Sequence, residues 1–159
     1  MAEESHLNIG DEAPDFSAPD HDKNDFLPSE HKGKYVLLSF HPLAWTGICA
    51  EQMKSLEANK KAFDSLNTVA VGMSVDTVPS KKAWAESLEI KETRLVSDFW
   101  PHGEIAMMYG IFNEEPGISR RANIVVDPEG KIAWIKVYEN KTLPDINEVL
   151  DVLKGLNQG

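Results

Sequence analysis

Short apolar runs alternate with helical segments along most of this chain, and this alternation restricts its fold more than any other feature. The run Tyr35–Phe40 (YVLLSF) is apolar and rich in strand-forming residues, so it predicts a buried strand. His41 and Pro42 end this strand, because proline cannot extend a central strand. The remaining predicted elements are, in chain order, a helix from Gly47 to about Ser65, a strand over Thr68–Val75, a helix from Pro79 to about Leu88, a strand over Arg94–Ser97, a helix over Gly103–Tyr109, strands over Arg121–Asp127 and Ile132–Tyr138, and a helix from Pro144 to about Leu156.

The order of these elements predicts an α/β fold with a mixed central sheet. Strands joined through helices favour parallel pairing in the first half of the chain. The last two strands are separated by the turn-forming sequence Pro128–Gly130 (PEG), so they predict an antiparallel hairpin. A parallel start, an antiparallel hairpin and a closing helix are the order of a thioredoxin-like three-layer sandwich, in which helices flank the sheet.

The length of 159 residues fits one domain, and no repeat or linker divides it, so we expect a single domain over residues 1–159. Residues 1–33 predict an acidic N-terminal arm with a short hairpin around Asp20–Asn24, because turn-forming residues are frequent there. The first 30 residues hold nine acidic residues and one lysine, a net charge of −8 out of −10 for the whole chain. This charge disfavours binding to nucleic acid and to anionic membranes.

The N-terminal sequence and the apolar runs bear on location. No apolar stretch approaches the roughly 20 residues that a membrane helix requires. The start MAEESHLNIGDEAP is acidic and lacks the basic and then apolar order of a signal peptide. We therefore expect a cytoplasmic protein without a membrane partner, in a compartment where thiols stay reduced.

Cys49 is the only cysteine, and its position marks it as a candidate nucleophile. It follows a strand directly and lies in the first turn of the next predicted helix. Free backbone N–H groups and the positive end of the helix dipole favour the thiolate there, and the thiolate is the reactive form. Met53 and Leu56 share its helix face, so Cys49 is expected to point inward, at the bottom of a pocket.

Three other side chains could assist this thiolate, and they would suit one candidate reaction, the attack on a peroxide. Arg121 opens a core strand and can compensate a buried thiolate with its permanent charge and rigid set of donors. The hydroxyl of Thr46 can orient a peroxide oxygen, although a simple role as a helix cap is also open. Pro42 has no N–H group and can exclude water from one side of the sulfur. The product would be a sulfenic acid at Cys49.

The segment Pro42–Cys49 (PLAWTGIC) matches the PxxxTxxC signature of peroxiredoxins, and the chain resembles that family along nearly its whole length. Its single cysteine makes it most similar to the alkyl hydroperoxide reductase E type. Arg121 aligns with the arginine that the family uses beside the sulfur. Further similar blocks are IGDEAPDF (9–16), SVDTVPSKKAW (74–84), SDFWPHGEIAMMYGIF (97–112) and ISRRANIVVD (118–127).

The resemblance implies a peroxidase that reduces hydrogen peroxide, organic hydroperoxides or peroxynitrite without a metal, haem or flavin. It also implies a homodimer or larger ring, and recycling by an external thiol or a thioredoxin- or glutaredoxin-like reductant. The chain departs from the family at two positions. His41 replaces a common tyrosine, and it could titrate near pH 6–7 beside the site. Gln52 replaces a frequent glutamate, and it could still hydrogen-bond Arg121.

Some positions have more than one interpretation. Trp45 and Trp100 could line the mouth of the pocket, although tryptophans more often serve in packing, as expected for Trp84. The five histidines contain no i,i+4 pair, so a metal site is not expected. Two alternative functions stay open. One is a sensor that relays the oxidation of Cys49 to a partner protein, since no resolving cysteine exists. The other is a structural thioredoxin-like domain with an inert cysteine.

Overall fold

The N-terminal arm forms the predicted hairpin. The structure, a computed structural model, describes residues 6–158. Strand β1 (Ala18–Pro19) pairs antiparallel with β2 (Asp25–Phe26), and the side chain of Asp20 holds the turn by accepting hydrogen bonds from the backbone of Asp22 and Asn24. A 3₁₀ helix over Pro28–His31 follows. Part of the acidic arm, residues 1–5, lies outside the described residues.

The first βαβ unit carries the segment with Cys49, and its elements agree with the prediction except for one helix break. Asn59 interrupts the helix predicted over residues 47–65. Its backbone N–H and its side-chain amide both bond to the carbonyl of Ser55, a competition typical of asparagine that separates the two helices. The elements are β3 (Tyr35–Phe40), α1 (Gly47–Ala58), α2 (Lys60–Ser65), β4 (Thr68–Ser74) and α3 (Val78–Ser87).

The second half contains one hairpin that the sequence pattern did not predict. Its two strands have two residues each, too few for a periodic pattern to appear. The closing helix starts two residues after Pro144, where the Asp145 side chain accepts a hydrogen bond from the Asn147 N–H. The elements are β5 (Arg94–Ser97), α4 (Glu104–Met108), β6 (Phe112–Asn113), β7 (Ile118–Ser119), β8 (Arg121–Val126), β9 (Ile132–Tyr138) and α5 (Ile146–Gln158).

The central sheet has the strand order β5-β4-β3-β8-β9. Strands β3, β4 and β5 are parallel, whereas β8 pairs antiparallel with both β3 and β9. This mixed sheet confirms the predicted α/β thioredoxin-like class. Strand β3 is central, so the loop that follows it lies between the ends of β4 and β8. Phe40, the last residue of β3, pairs with Met73 on one side and Ala122 on the other.

The side chains of β3 alternate between two apolar cores, one on each face of the sheet. Leu38 and Phe40 belong to one core, which α4 covers, while Leu37 belongs to the other, which α1, α3 and α5 cover. Gly72 in β4 lets α1 approach closely, because a Cβ there would lie 2.2 Å from the sulfur of Met53. Among the helices over residues 6–158, none has the length and apolar character to cross a membrane.

Candidate active site

The loop of residues 41–46, here called the β3–α1 loop, is held by the segment that follows β4. The Ala44 N–H donates to Asp76 Oδ2 at 2.8 Å, and the indole N–H of Trp45 donates to Ser80 Oγ at 3.0 Å. Trp45 has a φ of 69°, a left-handed conformation that is unfavourable for a bulky side chain. These two hydrogen bonds therefore help to hold a strained loop in front of helix α1.

Cys49 lies in the first turn of α1 and is 1% exposed. It shares the buried face of the helix with Met53 and Leu56, as the periodicity predicts. Helix hydrogen bonding starts after it, where the Ala50 N–H donates to the Thr46 carbonyl at 2.9 Å. The free N–H groups of this first turn and the helix dipole favour a negative charge on the sulfur.

Arg121 is the charged group in contact with the sulfur. Its Nη1 lies 3.4 Å from Cys49 Sγ and 2.7 Å from Gln52 Oε1. The Nε and Nη2 atoms donate to the Asn140 carbonyl at 3.1 and 2.9 Å. The guanidinium is thus fixed from both ends, although Arg121 and Cys49 are 72 residues apart in sequence.

Gln52 orients this guanidinium and is itself oriented by strand β3. Its Nε2 donates to Ser39 Oγ at 2.8 Å and to the Phe40 carbonyl at 3.1 Å. These two acceptors leave its Oε1 for Arg121, so the amide is used at both ends. The hydrogen bond that the sequence allowed between Gln52 and Arg121 is therefore present, and no carboxylate is needed for it.

Pro42 and Thr46 occupy opposite environments in the loop. Pro42 is buried, and Thr46 is exposed. The Thr46 hydroxyl donates to the Leu43 carbonyl at 2.8 Å and makes no capping hydrogen bond to α1. Its oxygen therefore keeps lone pairs that can accept a proton donor such as a peroxide O–H.

The tryptophans differ strongly in exposure. Trp84 is 1% exposed and its ring centroid lies 5.3 Å from that of His41, which fits a packing role. Trp45 is 56% exposed and Trp100 is 82% exposed. Both indoles therefore lie at the surface, and Trp45 is in the loop that leads to Cys49.

His41 does not titrate near pH 6–7, contrary to the sequence-based expectation. It is completely buried, and neither ring nitrogen has a hydrogen-bond partner among residues 6–158. Burial lowers the pKa of the imidazole well below its ordinary value of 6.5, and the positive charges of Lys81 and Arg121 lower it further. His41 is therefore neutral throughout the physiological range.

Lys81 is a buried charge near the site that the sequence analysis did not identify. It is 0% exposed, and burial lowers the pKa of its ammonium from 10.5 to about 7. Lys81 lies three residues before Trp84, on the buried face of α3. A lysine at an apolar position of a helix was the available signal, because lysine is almost never fully buried without a partner.

Comparison with known proteins shows the family of the chain. Residues 9–135 match the model of the AhpC/TSA family. The chain belongs to this family. It is 36% identical over 151 residues to the alkyl hydroperoxide reductase E of Mycobacterium tuberculosis, covering 94% of this chain and 98% of that protein. A putative peroxiredoxin of Entamoeba histolytica is 32% identical and covers 93% of this chain and 67% of its own length.

Solved structures of peroxiredoxins share the fold. The reduced 2-Cys peroxiredoxin of Plasmodium vivax superimposes with a TM-score of 0.87 at 26% identity, covering 96% of this chain and 83% of that one. The peroxidoxin BcpB of M. tuberculosis superimposes with a TM-score of 0.83 at 24% identity, covering 95% of this chain and 99% of that one. This second comparison shows a similar fold. This AhpC/TSA family member is therefore a peroxiredoxin, a thiol-dependent peroxidase with a single cysteine.

Proposed function

We propose that this peroxiredoxin reduces hydrogen peroxide and organic hydroperoxides through a sulfenic acid at Cys49. The contact between Arg121 Nη1 and Cys49 Sγ, at 3.4 Å in the first turn of α1, carries the proposal. A fixed cation and free helix N–H groups stabilise a buried thiolate, and the same donors can hold the peroxide oxygens. No other thiol in the 159-residue chain could take this role.

The chemistry is a two-electron oxidation of sulfur. The Cys49 thiolate attacks one peroxide oxygen, the S–O bond forms and the O–O bond breaks. The leaving alkoxide or hydroxide takes a proton and departs as an alcohol or water. Arg121 and the first-turn amides stabilise the oxygen on which negative charge develops, and the Thr46 hydroxyl orients the peroxide. Pro42 keeps water from one side of the sulfur.

Recycling requires a thiol from outside the chain, because Cys49 has no second cysteine to pair with. A first reductant thiol forms a mixed disulfide with Cys49 and releases water, and a second thiol releases the reduced enzyme. We expect a small thiol or a thioredoxin- or glutaredoxin-like protein in this role, in the cytoplasm, where such reductants keep thiols reduced.

A homodimer or larger ring is part of the proposal. The large apolar side chains Leu43, Trp45, Phe99 and Trp100 are all more than a third exposed, and a second copy could cover them. Sedimentation velocity of the reduced protein should give at least twice the chain mass of 17.7 kDa. A monomer at all concentrations would contradict it.

Stopped-flow fluorescence with hydrogen peroxide and with cumene hydroperoxide tests the proposed function. We expect a fast second-order phase that Cys49→Ser abolishes, with Trp45, four residues from the sulfur, as the reporter. Trapping with dimedone and mass spectrometry should find the sulfenic acid on Cys49. A thiol that reacts no faster than free cysteine would contradict the proposal and favour an inert domain. Fast oxidation with poor turnover on all small thiols, together with one specific mixed disulfide, would instead favour a relay to a partner protein.

A further inference from the structure

Lys81 is connected to the β3–α1 loop by a chain of hydrogen bonds that starts in the core and becomes partly exposed toward the loop. Its Nζ donates to Ser74 Oγ, at the end of β4. The Ser74 hydroxyl donates to Asp76 Oδ2 at 2.6 Å, and the same carboxylate oxygen accepts the Ala44 N–H at 2.8 Å. Ser97 fixes the backbone of Asp76, because its hydroxyl donates to the Asp76 carbonyl at 2.6 Å. Three side chains thus link α3 to the loop that precedes Cys49.

The charges around Lys81 come from several elements of the fold. The negative charges that raise its pKa belong, in decreasing order, to Asp76 after β4, to Cys49 on α1 and to Asp98 after β5. His41, at the end of β3, is affected by the positive charges of both Lys81 and Arg121. The imidazole of His41 is therefore in the electrostatic field of two buried cations. Lys81 is hydrogen-bonded to Ser74 at the end of β4, and Arg121 lies at the start of β8.

Interaction between two charges is reciprocal. A thiolate on Cys49 and the ammonium of Lys81 carry opposite charges, so each would stabilise the other. Both residues are buried, at 0% and 1% exposure, so salt and water screen this interaction only weakly. Burial of an ammonium costs free energy, and its attraction to a thiolate on Cys49 would offset part of that cost.

We propose that Lys81 is a positioning residue of the peroxidase site, a second buried cation that favours the Cys49 thiolate from the β4 side and fixes the β3–α1 loop through Ser74 and Asp76. This inference rests on the proposed function. It assigns the thiolate two cations of different kind. Arg121 contacts the sulfur directly, whereas Lys81 acts through its charge and through the loop.

The rate of peroxide reaction as a function of pH tests the charge of Lys81. In Lys81→Met and Lys81→Gln we expect a loss of about tenfold at pH 6, because the cation is missing. The Lys81→Gln and wild-type rates should converge above pH 8, where Lys81 is neutral in the wild type, whereas Lys81→Met should keep a smaller loss because it also removes the contact with Ser74. The glutamine keeps a hydrogen-bond donor for Ser74 but has no charge, so it distinguishes the effect of the charge from the effect of the hydrogen bond. Lys82→Met is the matched control, since the adjacent Lys82 is exposed and pairs with Asp22.

A purely structural role of Lys81 gives a different result. Such a role would lower the rates of both variants by the same factor at every pH. That outcome would overturn the proposed effect of the Lys81 charge on the thiolate, as would pH profiles identical to that of Lys82→Met. Thermal unfolding shows whether each variant is folded.

A second measurement needs no substitution at Lys81. In ¹³C NMR spectra of the lysine ε-carbons, one lysine should titrate near pH 7, apart from the exposed lysines. Its midpoint should fall to lower pH in Cys49→Ser, because the thiolate charge is gone. An unchanged midpoint would refute the coupling even if both Lys81 variants failed to fold. If the wild type did not react with peroxide, the proposed function would fail, while this comparison would still measure the coupling.

Discussion

The two sides of the Cys49 site are built differently. On the β8 side, Arg121 uses its guanidinium on three partners, the sulfur, Gln52 and the Asn140 carbonyl. On the β4 side, Lys81 is equally buried, but its ammonium has a single hydrogen-bond partner, Ser74, among the described residues. Several hydrogen bonds therefore fix the position of the Arg121 guanidinium. The Lys81 ammonium is held by one hydrogen bond and by the side chains packed around it.

This difference follows from the chemistry of the two side chains. A guanidinium stays charged when it is buried, so it can hold a thiolate permanently. An ammonium loses its proton much more readily on burial, and the pKa of Lys81 is accordingly near 7. One side of the site therefore supplies a constant charge, and the other supplies a charge that depends on pH.

Removal of Arg121 should have the largest effect. Arg121→Ala is expected to lower the second-order rate constant for hydrogen peroxide by about 10²–10³, the range for a lost oxyanion donor. Arg121→Lys should retain part of the rate, since it keeps the charge without the fork. Stopped-flow kinetics measure both, and Arg120→Ala is the control one residue earlier. A rate within threefold of wild type in Arg121→Ala would remove the β8 side from the mechanism.

Substitution of Gln52 tests how far the β8 side depends on its support. Gln52→Ala leaves Arg121 Nη1 and the Ser39 hydroxyl with one partner fewer in a buried place, so the free energy of unfolding should fall by about 2–3 kcal/mol. Urea unfolding measures this change. Glu51→Ala is the matched control, because Glu51 is exposed and its pair with Lys54 spans only one turn, so a change under about 0.5 kcal/mol is expected. Equal effects of the two variants would contradict the role of Gln52.

His41 lies between the two sides and should matter for stability in acid. Its folded pKa is below 6.5, so the unfolded chain binds more protons at pH values just under 6.5, and stability is lost as pH falls through that range. His41→Phe removes this term and two unpaired buried nitrogens. We expect its stability to exceed that of wild type by about 1 kcal/mol at pH 5 and by less at pH 7, measured by urea unfolding. An unchanged difference between the two pH values would contradict a neutral, buried imidazole.

The smallest expected effect concerns the loop contact on the β4 side. Ser80→Ala removes the acceptor of the Trp45 indole N–H, a solvent-exposed hydrogen bond whose loss should cost about 0.5–1 kcal/mol. Trp45 holds a left-handed backbone, so its fluorescence should respond to the freer loop, while the pH profile of the peroxide reaction keeps its shape. Ser87→Ala, at the end of the same helix, is the control. A shifted pH profile in Ser80→Ala would mean that loop contact and charge are not separable.

The sequence pattern predicted most of the fold because its signals are local. The apolar run of β3, the proline that ends it and the turn between β8 and β9 each lie within a few residues. The errors arose where local signals were absent or in competition. Asn59 interrupts a helix whose apolar period continues past it, and the β6–β7 hairpin is too short to have a period.

The site divides in the same way. From the pattern alone, Cys49 could be assigned to a helix N-terminus with its side chain facing inward, and the motif resemblance pointed to Arg121. The surroundings of these two residues became known from the fold, which connects Lys81 to the loop through Ser74 and Asp76 and buries His41 so that its pKa is lowered. Burial and long-range charge set these properties, and both depend on groups that are brought together from distant parts of the chain.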